Sequence, residues 1–218
     1  MDAVLFDMDG TLVDSERVWG AALTELAVHA GGVLSERARL AMVGTSMPVS
    51  MEIFRADLGL PADRPEEPDV TWLVDRVLTL FAEGLVWRPG AAELLLAVRS
   101  AGIPTALVTS TGRRLAEVAL QTIGAENFDV VVCGDEVAKP KPDPEPYLTA
   151  ASLLGVPISR CVAVEDSPSG TASALAAGAA VLAVPAELEL PPTDGVHLRS
   201  SLVGVDVAFL AELLTSRV

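Results

Sequence analysis

Short apolar runs recur along the chain: Ala3 to Phe6, Thr105 to Val108, Val130 to Cys133, Cys161 to Val164 and Ala180 to Val184. Each is bounded by polar, Gly or Pro positions, the pattern of a strand buried on both faces. Between them, apolar residues fall at helical spacing over Ala91 to Ala101, Arg113 to Ile123, Pro144 to Leu154 and Ser169 to Ala177. Gly102, Gly124, Gly155 and Gly178 close these stretches, as left-handed helix ends require, and Asp143-Pro144 reads as a helix start. Strands alternating with helices of this length predict an α/β fold with a parallel sheet covered on both faces.

The alternation breaks between about Ser15 and Trp87, where no run reads as a strand. Val18, Trp19, Ala22, Leu23 and Leu26 mark a helix over Ser15 to Ala30. Further helices are expected over Ser35 to Met42, Pro48 to Leu58 and Asp69 to Ala82, with a loop at Pro61 to Pro68. The expected organisation is therefore a core of residues 1–14 and 88–218 with a helical insertion, 15–87, rejoining near Pro89 and Gly90.

Composition narrows the function. Half of the 218 residues are hydrophobic but only 4% are aromatic, so the core is expected to be Ala, Leu and Val. Ala174 to Val184, the longest small-apolar stretch, contains Gly178 and is too short to span a membrane. With no basic segment ahead of an apolar one at the N-terminus, a soluble cytoplasmic protein is expected. A net charge of −15 argues against a nucleic-acid partner, which needs clustered Lys and Arg. Cys133 and Cys161 lie in apolar runs and are expected as buried thiols; His29 and His197 share no ligand spacing.

Candidate chemistry gathers just beyond the predicted strands. The first run delivers Asp7 and Asp9, followed by Gly10 for a tight turn. Ligands of open α/β sheets bind at such carboxyl ends. Two carboxylates converging there call for a compensating cation or proton. Thr109 and Ser110 follow TALV and offer a hydroxyl and backbone N–H groups to an anion. Lys139 follows VVVC among stiffening prolines, and Glu165 and Asp166 follow CVAV. Together these supply oxygen ligands for a hard divalent cation, and a cation with donors for an anion.

With DMDGT at 7–11, the Thr109 site, Lys139 in KPKPD and EDS at 165–167, the chain resembles the haloacid dehalogenase superfamily of phosphatases over nearly its whole length. It is most similar to the branch with a helical cap after the first motif, which includes sugar-phosphate phosphatases and β-phosphoglucomutase. The resemblance implies a Rossmann-like core with an inserted α-helical cap. Its implied activity is Mg²⁺-dependent hydrolysis of a small phosphorylated metabolite, such as a sugar phosphate. Asp7 is implied as the nucleophile that becomes an aspartyl-phosphate, and Asp9 as general acid and base. Mg²⁺ is implied on Asp7, the Asp9 backbone carbonyl and Asp166, with Glu165 as a further ligand if the backbone turns there. Thr109, the Ser110 backbone and Lys139 would bind the phosphoryl oxygens.

The cap is implied to close over the site and contact the leaving group through Trp19 and the Thr45-Ser46-Met47 loop, hinged near Leu12–Ser15 and Trp87–Gly90. β-Phosphoglucomutase-like proteins carry a histidine near the position of Trp19 and an arginine near that of Met47; neither is here. A phosphosugar mutase and a non-catalytic phosphate-binding protein are the alternatives. The intact Asp7, Asp9 and Lys139 argue against the latter, and Asp9 also against a dehalogenase. No membrane or nucleic-acid partner is expected, and a monomer would suffice.

Overall fold

The computed structural model describes residues 1–61, 65–186 and 188–215. Six parallel strands form one sheet in the order β3-β2-β1-β4-β5-β6. They are β1 (Ala3–Phe6), β2 (Thr105–Val108), β3 (Val130–Val132), β4 (Cys161–Glu165), β5 (Ala180–Ala183) and β6 (Val196–Leu198). The chain runs from β1 outward through β2 and β3, then returns to β4 on the other side of β1. Phe6 is thus in register with both Leu107 and Val164. The reversal opens a crevice beyond the carboxyl end of β1, the place where this class of sheet binds ligands.

The period of two along β1 sorts its side chains between two cores. Val4 and Phe6 pack in a cluster with Leu94 and Leu95 of α5 (Ala91–Ser100), Leu115 of α6 (Arg113–Ile123) and Leu210 of α9 (Val207–Leu213). Ala3 and Leu5 pack against Tyr147 and Ala151 of α7 (Glu145–Leu154) and Ala174 of α8 (Pro168–Ala177). Small residues dominate the second cluster, so α7 and α8 lie close to the sheet. Helix α8 begins at Ser167, whose side chain accepts from Gly170 N, with Pro168 in its first turn.

Residues 16–82 contribute four helices: α1 (Glu16–His29), α2 (Glu36–Met42), α3 (Met47–Leu58) and α4 (Glu67–Ala82). Residues 62–64 of the loop expected at 61–68 lie outside the described residues. Leu23 and Leu26 of α1 pack with Phe54, Leu73, Val77 and Phe81, and this apolar cluster is continuous with the one on the Phe6 face of the sheet. The two crossings into and out of the helices run side by side. Asp14 N donates to the Val86 carbonyl and Arg88 N to the Leu12 carbonyl, both at 2.8 Å, around an antiparallel bridge between Val13 and Trp87.

Helices α3 and α4 start one and two residues earlier than expected, at Met47 and Glu67, and two further elements have no counterpart in the sequence expectation. Strand β6 was not anticipated, because Val196-His197-Leu198 is short and at the sheet edge, where one side needs no apolar residue. Helix α9 carries no periodic run long enough to stand out, and is defined by its cap, Asp206 accepting from Phe209 N.

Candidate active site

Asp7 continues the face of β1 that carries Ala3 and Leu5, and Glu165 continues that of Ala163 on β4. Both carboxylates thus point toward α7 and the loop before it. Lys141 fills the space between them: its Nζ donates to Asp7 Oδ1 at 2.7 Å, to Glu165 Oε1 at 2.7 Å and to the Val108 carbonyl at 2.8 Å. Those three bonds use all three donors of the ammonium. The Tyr147 hydroxyl also donates to Glu165 Oε1. Glu165 Oε2 accepts from Asp166 N at 3.2 Å and Ser167 Oγ at 3.4 Å. Asp7, Lys141, Glu165 and Asp166 are all buried.

Burial alone would push the Lys141 ammonium down, but the charges of Asp7 and Glu165 outweigh it and hold it above its ordinary range. Burial pushes the Asp7 carboxyl up to about 7; Lys141 opposes this, while Glu165 and Asp9 add to it. Asp166 is also raised, by burial first and then by the charges of Asp7 and Glu165. Three buried carboxylates thus face one buried ammonium, an arrangement that favours a further cation.

The residues fit a divalent metal. Carboxylate oxygens of Asp7, Glu165 and Asp166 lie within 4.8 Å of one another. Asp7 Oδ2 is buried without a hydrogen-bond partner. Hard oxygen donors of this kind suit Mg²⁺. Gly10, at φ +80°, is what lets Asp166 approach, since a Cβ there would lie 2.2 Å from Asp166 Oδ2.

The Asp9 carboxylate turns away from this cluster. Its Oδ1 accepts from Ser15 Oγ at 2.6 Å and Trp19 Nε1 at 3.4 Å, and its Oδ2 from Thr109 Oγ1 at 3.2 Å and Thr111 Oγ1 at 2.8 Å. It therefore spans the sheet's carboxyl edge and the first turn of α1. It also lines a cavity of about 100 Å³. The core side of this cavity is Ser110, Thr111, Gly112 and Leu115; the helical side includes Glu16, Trp19, Arg39, Thr45, Met47 and Ser50.

The sequence model of haloacid dehalogenase-like hydrolases matches residues 1–178, a span that takes in Asp7, Asp9, Lys141 and Asp166. The chain belongs to that family. It is 37% identical over 203 residues to hexitol phosphatase A of Escherichia coli, covering 89% of this chain and 88% of the relative. It is 38% identical over 191 residues to the N-acetylmuramic acid 6-phosphate phosphatase of Pseudomonas aeruginosa, covering 84% and 81% of the two chains. Among solved structures it is similar to CbbY from Rhodobacter sphaeroides in complex with phosphate, with a TM-score of 0.84, 30% identity and coverage of 96% and 99%. The chain is a phosphatase of this family, a hydrolase of phosphoric monoesters.

Against the family's motifs, one residue read from the sequence is displaced. Lys139 does not enter the site: its side chain is 72% exposed and its Nζ is 3.9 Å from Asp143 Oδ2. Lys141 takes the place expected of it. The reason is local. Glu145 accepts from the backbone N–H of Ala138 and Lys139, holding that stretch on the outside, and a turn closed by Asp143 N on the Pro140 carbonyl carries Lys141 inward.

Thr109 and Ser110 lie where expected, Thr109 buried and Ser110 on the cavity wall. Trp19, Thr45 and Met47 also line the cavity, whereas Ser46 is buried just ahead of α3, and Ser50 stands on the wall instead. Asp166 lies just past the end of β4, where the backbone has left the strand, so its carboxylate and that of Glu165 come within 4.8 Å of each other instead of diverging; Asp166 also accepts from Thr11 Oγ1 at 3.3 Å. Sequence reasoning missed Thr111, Tyr147, Glu16 and Arg39. Thr111 and Tyr147 carried a signal, being polar groups at the head of a helix and on a helix's core-facing stripe.

Proposed function

We propose that this chain is a Mg²⁺-dependent phosphatase of a small phosphorylated sugar, working through an aspartyl-phosphate at Asp7. The observation that carries the reading is the buried Asp7–Lys141–Glu165–Asp166 cluster with the unpartnered Asp7 Oδ2, two residues from an Asp9 that lines the cavity. The names of the relatives support the sugar class: one acts on hexitol phosphates and another on N-acetylmuramic acid 6-phosphate.

Asp7 and Asp166 would hold Mg²⁺ through their carboxylates and Asp9 through its backbone carbonyl. When bound, the ion supplies the positive charge that lets an anionic nucleophile meet an anionic phosphate. An Asp7 oxygen forms a bond to phosphorus as the bond from phosphorus to the sugar oxygen breaks. Lys141 orients Asp7 and draws charge from the phosphoryl oxygens, with Thr109 and the Ser110 backbone as further donors. Asp9 gives its proton to the departing sugar oxygen. It then takes a proton from water as that water's oxygen attacks phosphorus, which returns Asp7 and releases phosphate.

Both oxygens of Glu165 accept from protein donors, so it positions Lys141, and its carboxylate stands with those of Asp7 and Asp166 as a further candidate ligand for the metal. Residues 15–87 act as a cap, and the paired crossings at Leu12–Asp14 and Val86–Arg88 act as its joint.

The test is phosphate release from a panel of sugar phosphates. Turnover should require Mg²⁺ and stop with EDTA. A panel without Mg²⁺-dependent turnover would overturn the reading.

A further inference from the structure

The cavity beside Asp9 has two charged side chains on its helical wall, Glu16 and Arg39. Neither is among the converging carboxylates around Asp7, although the charge of Glu16 reaches Asp166. Glu16 heads α1 and is only 7% exposed. Arg39 comes from α2; its side chain is 22% exposed, and its Nε and Nη2 donate to Glu36 at 3.3 Å and 3.0 Å. It reaches the cavity across Gly20, where a Cβ would stand 3.5 Å from Arg39 Cδ and 3.6 Å from Nη1. The remaining polar groups of this wall include the Thr45 and Ser50 hydroxyls, 2.7 Å apart, and Trp19 and Leu23 supply apolar surface.

We propose, resting on the phosphatase reading above, that this wall selects a leaving group that is an uncharged polyol, with Glu16 and Arg39 as the residues that read its hydroxyls. The charge balance carries the argument. Among the described residues Arg39 is the one cation lining the cavity; it pairs with the carboxylate of Glu36 and shares the wall with the buried carboxylate of Glu16. It offers directed N–H donors without a net positive field. A second phosphate or a carboxylate on the substrate would meet Glu16, and the repulsion of like charges in a buried site is a strong source of discrimination. A hydroxyl, in contrast, can donate to Glu16 and accept from Arg39. Adjacent hydroxyls on a carbon chain match a wall that alternates acceptor, donor and hydroxyl pair, and the C–H faces between them match Trp19 and Leu23.

The experiment uses substrate pairs that differ in charge at one position. The first is glucitol 6-phosphate against 6-phosphogluconate, the second glucose 6-phosphate against glucose 1,6-bisphosphate, with p-nitrophenyl phosphate as a substrate lacking any polyol. The uncharged member of each pair should have a kcat/KM at least about tenfold higher. Glu16→Gln, isosteric and without the charge, should narrow the first ratio about tenfold. Glu36→Gln, at an exposed position where folding is secure, should narrow it a few-fold by unmasking Arg39. Arg39→Gln should raise KM for glucitol 6-phosphate more than it lowers kcat. Preference for the charged member of either pair, or a ratio unmoved by both Glu variants, overturns the inference while p-nitrophenyl phosphate turnover keeps the phosphatase reading. Absence of Mg²⁺-dependent p-nitrophenyl phosphate turnover removes both.

Discussion

Lys141 Nζ stands 2.7 Å from Asp7 Oδ1 across 134 positions of sequence, and the contact is buried. It joins the loop after β3 to the end of β1. Replacing Lys141 removes the only buried ammonium among the described residues and leaves Asp7 and Glu165 facing each other. Lys141→Ala should lower kcat by about 10³-fold or more and destabilise the fold by about 3 kcal/mol. Lys139→Ala should change kcat less than about twofold, as expected of a solvated charge. Phosphate-release kinetics and thermal melts of the two variants decide between the lysines.

The raised Asp7 and Asp166 carboxyls link metal binding to pH. A carboxyl held up to about 7 in the fold keeps its proton at pH values where the unfolded chain has lost it. The folded protein without metal therefore loses stability from this group as pH rises from about 4 toward 7. Mg²⁺ binds the ionised form, so its apparent affinity should fall about tenfold per pH unit below about 7. Melting with Mg²⁺ and with EDTA should show a larger difference at pH 8 than at pH 5. Equal differences would contradict the linkage.

Gly170 sits in the first turn of α8, where alanine ordinarily strengthens a helix by up to about 1 kcal/mol. Here a Cβ would lie within 2.1 Å of the Glu165 carboxylate group. Gly170→Ala should therefore destabilise by about 2 kcal/mol and lower kcat, because Glu165 must shift and Lys141 with it. Denaturant unfolding reports the sign, which is opposite to that expected from helix propensity.

The four donors on Asp9 set its position between sheet and helix. Asp9→Asn should reduce kcat on sugar phosphates by about 10²–10⁴-fold. Its effect should be smaller on p-nitrophenyl phosphate, whose leaving group needs no proton. Thr111→Val removes one donor at 2.8 Å and should cost about tenfold in kcat with little change in KM.

The sheet and its site were legible because both depend on short-range patterns. Five of the six strands are apolar runs, and a residue that follows such a run in a parallel sheet lands at the carboxyl edge whatever the loops do. Asp7, Thr109 and Asp166 were therefore placed by the strands alone. Lys141 was not, because its direction depends on the turn between Pro140 and Asp143, and both lysines follow the same strand among the same prolines. Glu16 and Arg39 were illegible for a related reason. Each lies on a separate helix, and only the tertiary arrangement that lays the Arg39 side chain of α2 across Gly20 of α1 brings them to one wall.

The paired crossings at Val13 and Trp87 have a consequence for how such a protein can change. Their backbones are zipped together, so from the sheet's side the whole helical excursion begins and ends at one point, like the tip of a hairpin. Lengthening or replacing what lies beyond that point adds little closure entropy, about 0.6 kcal/mol for each doubling of length. It leaves the register of β1 with β2 and β4 untouched. Descent can therefore exchange most of the helical excursion without disturbing the sheet, so long as Ser15 and Trp19, which hold the Asp9 carboxylate, are kept.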